Sequence, residues 1–128
     1  MSSVIEGISH LDVRELQSVL EDAANSSVVI DVREVEEYEA GHIPGIPLIP
    51  MGDIVDYLEQ FDRGKEYIFV CRSGRRSLEV AKFFKNNGFD KVHNYLGGML
   101  QWDGELAFGQ EHIITEFHPE QLERKRSE

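Results

Sequence analysis

Cysteine is nearly absent: the 128 residues contain one, Cys71. That excludes an intrachain disulfide, a Cys-x-x-Cys redox pair and a cysteine-rich zinc cluster. Cations are also scarce, with 13 Lys and Arg against 24 Asp and Glu, a net charge of −11. Binding to nucleic acid or to an anionic membrane needs a basic stripe, so neither is an expected partner. No apolar run approaches the roughly 20 residues that span a bilayer. The opening MSSVIEGISH has neither the basic nor the apolar segment of a signal peptide, so a cytoplasmic location is expected. The short mixed run ERKR at 123–126 reads as a solvated helix end.

What is present is the patterning of one soluble domain, 41% hydrophobic and 29% charged, long enough for a single core. Apolar runs rich in β-branched residues alternate with helical periodicity. Strands are expected over 3–8, 27–33, 66–71 and 91–98, and a brief extended piece is expected in the proline-interrupted segment 43–50. Helices are expected over 12–20, 34–42, 53–61, 75–88 and 98–106, the first opened by an Asp12–Glu15 capping box. This alternation predicts an α/β fold with a parallel sheet covered on both faces. Residues 1–108 form the expected domain, and 109–128 a C-terminal extension of it.

Cys71 closes the most strand-like run, EYIFVC, and the loop RSGRR follows at 72–76. In a parallel α/β sheet, ligands bind beyond the carboxyl ends of strands, and this loop lies there. Gly74 lets the backbone curl. The loop amides, the next helix N-terminus and Arg72, Arg75 and Arg76 would each favour thiolate over thiol. A helix end contributes about 0.3–1 kcal/mol, up to about 2 when partly buried. Making thiolate the majority form at neutral pH requires roughly 2.7 kcal/mol. The dipole alone falls short, and amides with at least one arginine must supply the rest. The alternative is a structural core cysteine; the strand-end position beside RSGRR favours the nucleophile.

CRSGRRS at 71–77, with DVREVEEYEAGHIPG at 31–45 upstream and YLGGMLQW at 95–102 downstream, resembles the rhodanese family of sulfurtransferases. The motifs occur in the family's order and carry the likeness from about Val4 to Leu106. The resemblance implies a three-layer domain with a central five-stranded parallel sheet and helices on both faces. It implies that Cys71 accepts a sulfane sulfur as a persulfide, cradled by Arg72, Ser73, Gly74, Arg75 and Arg76. A small anionic donor such as thiosulfate, or a persulfide-bearing relay protein, would supply the sulfur. With no second cysteine, the acceptor would be an external thiol or cyanide. A non-catalytic binding module on the same scaffold is the alternative from another class. Phosphatases and arsenate reductases of this fold place an arginine six residues after the cysteine. Here that position is Ser77, and Arg76 falls one short, about 100° away on a helix.

Asp31 and Arg33, with Ser77, are supporting candidates. Arg33 is expected to pair with Glu37 or a neighbouring carboxylate and so to fix the following loop. His42 reads as a structural histidine, because sulfur transfer from a thiolate needs no proton abstraction. None of the five histidines shows ligand spacing, so neither a metal nor a cofactor is expected. Gly97 and Gly98 are expected to turn the backbone beside the cysteine loop.

Overall fold

Strand and helix segments alternate as the patterning requires in the computed structural model, which describes residues 3–122. Strands β1 (Ser3–Ile5), β2 (Ile8–Leu11), β3 (Val28–Asp31), β4 (Tyr67–Val70) and β5 (Val92–Tyr95) form one sheet in the order β1-β2-β5-β4-β3. Strands β2, β5, β4 and β3 are parallel neighbours, whereas β1 pairs antiparallel with β2. The five-stranded sheet is therefore present but mixed, which corrects the expectation of a wholly parallel one. Its cause is Glu6-Gly7. Both have positive φ, 54° and 78°, the two-residue turn that folds the expected first strand into a hairpin. The proline-rich segment contributes only isolated bridges, Leu48 pairing with Asp31 on one side and Ile113 on the other.

The helices are α1 (Val13–Glu21), α2 (Val35–Glu39), α3 (Met51–Ile54) and α4 (Arg75–Lys85). The Asp12–Glu15 capping box opens α1 with both reciprocal bonds formed. The expected helix over 53–61 begins earlier, as α3, and tightens into a 3-10 helix at Val55–Gln60. The expected helix over 98–106 is only a 3-10 turn, Met99–Gln101.

Side chains alternate across the strands and so build two cores. Val28, Ile30, Tyr67 and Phe69 pack with Ile54, Val80, Ala81 and Phe84 on one face; Val29, Ile68 and Val70 pack with Leu16 of α1 on the other. Strands β3 and β4 are buried at every position because both faces are covered. Residues after Phe108 run back along 42–48 through the Leu48–Ile113 bridge and end in a 3-10 turn at Pro119–Leu122, burying Ile114, Phe117 and Leu122. ERKR lies outside the described residues. Among the described residues no helix is long and apolar enough to cross a membrane.

Candidate active site

The site grows from the end of β4. Val70 is the last strand residue, Cys71 follows, and α4 begins at Arg75 with Gly74 as its N-cap. Three loop residues must reverse the chain between them. Gly74 makes this possible with φ +89°, and a Cβ there would lie 2.1 Å from the Leu96 carbonyl oxygen. Gly98 stands across the loop with φ +62°, where a Cβ would meet the Arg72 carbonyl oxygen at 2.4 Å. This close approach lets the amides of Met99 and Leu100 donate to the carbonyls of Cys71 and Arg72 at 2.9 and 3.0 Å. The turn beside the cysteine loop thus grips the loop's first two peptides.

Around the sulfur, the Gly74 N–H donates to Sγ at 3.2 Å and the Ser77 N–H at 3.3 Å. Gly74 is the N-cap and Ser77 the third residue of α4, so the sulfur takes the place of a capping oxygen at a helix N-terminus. Donors converging on one atom suit a negative charge there. Arg72, Ser73 and Arg75 point outward and are exposed, while Gly74 and Ser77 are buried. Cys71 itself has no exposed surface.

Ser77 Oγ lies 3.2 Å from Sγ and also donates to Asn94 Oδ1. A hydroxyl has one proton, so its two acceptors compete. The amide of Asn94 is oriented by its nitrogen, which donates to the Gly74 carbonyl at 3.0 Å and to His10 Nδ1 at 3.2 Å. Its oxygen must then face Ser77. The chain Cys71–Ser77–Asn94–His10 is buried throughout and ends on the hairpin, where His10 Nε2 meets the Ile5 carbonyl at 3.4 Å.

Arg76 turns away from the loop. Its guanidinium grips Glu37 through two bonds of 2.7 and 2.8 Å. This contact holds the Glu37 carboxyl down at about 2, with burial opposing. Of the partners expected for Arg33, Glu37 is therefore taken by Arg76, and the neighbouring carboxylate is the one Arg33 finds. Arg33 pairs with Asp31, its Nε reaching both carboxylate oxygens at 3.0 and 3.1 Å and its Nη2 one of them at 2.9 Å. Nη2 also donates to the Gly41 carbonyl, which ties β3 to the end of α2. Burial pushes the Asp31 carboxyl above its ordinary range, and Arg33 pulls it back.

His42 is fully buried. Its Nδ1 lies 2.8 Å from the Tyr38 carbonyl and its Nε2 3.0 Å from Glu111 Oε1, with the ring stacked on Tyr38. Among the described residues no cluster of three or more His, Cys, Asp or Glu could hold a metal.

The structure thus brings Cys71, Gly74 and Ser77 together, places Arg72, Ser73 and Arg75 at the rim, and couples Arg76 to Glu37. Asp31 and Arg33 brace the neighbouring loop. Sequence reasoning passed over Asn94 and the role of Glu37. A polar residue at an inward position of β5, in register with Val92, was the one available signal for Asn94.

Known proteins resemble this chain in sequence and in fold. A family model described as a rhodanese-like domain matches residues 12–105. YtwF of Bacillus subtilis (strain 168) is 48% identical over 84 residues, covering 66% of this chain and 81% of that protein. Thiosulfate sulfurtransferase GlpE of Coxiella burnetii is 32% identical over 95 residues, covering 74% and 84% of the two chains. A rhodanese-like domain protein of Staphylococcus aureus superposes with a TM-score of 0.69 at 36% identity, covering 77% of this chain and 96% of that one.

Proposed function

Because the chain belongs to the rhodanese-like family of sulfurtransferases, we propose that it moves a sulfane sulfur from thiosulfate or a donor persulfide to cyanide or a thiol through a persulfide on Cys71. The observation that carries this reading is the pair of amide N–H groups, from Gly74 and Ser77, aimed at one sulfur 3.2 and 3.3 Å away.

The Cys71 thiolate attacks the outer sulfur of thiosulfate. A Cys–S–S bond forms, the sulfur–sulfur bond of the donor breaks, and sulfite departs with the electron pair. An alkyl persulfide donor loses a thiolate in the same way. The product sulfur is itself anionic, and main-chain donors at a helix start can hold it as an oxyanion hole holds oxygen. Cyanide or an external thiol then removes that sulfur, leaving thiocyanate or a new persulfide and returning the Cys71 thiolate. Arg72 and Arg75, exposed at the rim of an acidic body, draw in a small anion or the acidic edge of a relay partner. A reducing compartment such as the cytoplasm suits the scheme, because oxidised Cys71 cannot attack.

One observation favours a second reading, a non-catalytic binding module: Cys71 has no exposed surface, so a donor reaches it only when the loop opens. Phosphoryl or arsenate chemistry gains no such support, since Ser77 occupies the arginine position and Arg76 is bound to Glu37. The test is thiocyanate production from thiosulfate and cyanide. Turnover by the wild type and none by Cys71→Ser supports the enzyme, and no turnover by a folded wild type favours the module. Hydrolysis of an aryl phosphate or reduction of arsenate would instead revive the third reading.

A further inference from the structure

The three loop arginines are not equivalent. Among the described residues Arg72 and Arg75 have no carboxylate partner, whereas Arg76 is held by both oxygens of Glu37. Glu37 is not a drifting surface carboxylate. Its Oε1 also accepts the Glu34 N–H at 3.0 Å, the reciprocal half of the capping box that opens α2. The acceptor is therefore preset by its own helix, before any ligand arrives. Arg76 is the second residue of α4, next to Ser77, whose N–H reaches the Cys71 sulfur. Its cation thus stands at the helix start that holds the sulfur, and Glu37 neutralises it there.

Donors differ in charge. Thiosulfate is a dianion, whereas an alkyl persulfide carries one charge on its outer sulfur, or none when protonated. A carboxylate that neutralises one of three cations weakens the dianion's attraction most. We propose that Glu37 is a specificity-determining residue, which by occupying Arg76 biases the site toward persulfide donors and away from thiosulfate. This rests on the sulfur-transfer reading above.

The full-length chain is loaded with thiosulfate or with cysteine persulfide, and kcat/KM is compared for wild type, Glu37→Gln, Arg76→Gln and the double variant. Glutamine can still accept the Glu34 N–H, so the capping box survives. The ratio of thiosulfate to persulfide kcat/KM is expected to rise about fivefold or more in Glu37→Gln. The rise should shrink at high salt and vanish in the double variant. Arg76→Gln bares Glu37 and should lower the same ratio, which keeps the test open if Glu37→Gln folds poorly. An unchanged ratio in both single variants, or equal shifts for both donors, overturns the proposal and leaves a pair that only braces the loop. Failure of both donors to load the wild type overturns the sulfur-transfer reading, and this inference with it.

Discussion

The Asn94 side-chain nitrogen donates to the Gly74 carbonyl oxygen across 3.0 Å, tying β5 to the loop that holds the sulfur. The same side chain accepts the Ser77 hydroxyl, so one buried amide positions both residues whose N–H groups reach Sγ. Asn94→Ala takes one hydrogen-bond partner from each of three buried groups, the Gly74 carbonyl, the Ser77 hydroxyl and His10 Nδ1. Urea unfolding should show a loss of about 1–3 kcal/mol, and sulfur loading of the folded fraction should slow at least tenfold. Loss of stability with undiminished loading would show that Asn94 only supports the core.

Gly74→Ala tests the loop itself. Its φ of +89° is unfavourable for alanine, and the new Cβ would fall 2.1 Å from the Leu96 carbonyl oxygen. Backbone strain alone costs about 1–3 kcal/mol, and the contact forces a shift of the peptide that donates to sulfur. Persulfide formation should be lost while circular dichroism still reports a folded domain. Ordinary loading by this variant would mean that the Gly74 N–H is dispensable.

Arg33 braces rather than reacts. Replacing it with methionine strands a buried Asp31 carboxylate with its principal cation gone, a change that costs about 3–5 kcal/mol. Calorimetry should show a large fall in melting temperature. The companion replacement of both residues by apolar side chains should recover much of that loss, since a buried pair of charges adds little net stability.

The Glu37–Arg76 contact has a pH signature. The Glu37 carboxyl is lowered from 4.5 to about 2, so the folded state favours its ionised form. Its contribution is complete above a pH of about 4.5 and is lost as pH falls toward about 2. The stability gap between wild type and Glu37→Gln should be present at neutral pH, modest because the pair is partly exposed, and should close over that acidic window. A gap that stays constant with pH would contradict the ion pair.

How much was legible follows the range of each interaction. Asp12 and Glu15 announce the start of α1 because a capping box is complete within four residues. Cys71 and Gly74 were readable because a strand end, a glycine and a helix start are adjacent in the chain. The hairpin was not, because Glu6 gives no sign of positive φ and the strand pattern runs through it. The partner of Arg76 was missed because Glu37 is 39 residues away, and Arg33 was a nearer claimant for it. Asn94 lies 20 residues from Gly74, and only the parallel pairing of β4 and β5 brings them together.

The central claim is that the buried sulfur of Cys71 becomes a persulfide inside its cage of amides. Intact-mass spectrometry of the full chain after exposure to thiosulfate or cysteine persulfide addresses it directly. The account predicts one added sulfur atom, removed by cyanide and absent in Cys71→Ser. A folded wild-type chain that keeps its original mass with both donors would contradict it.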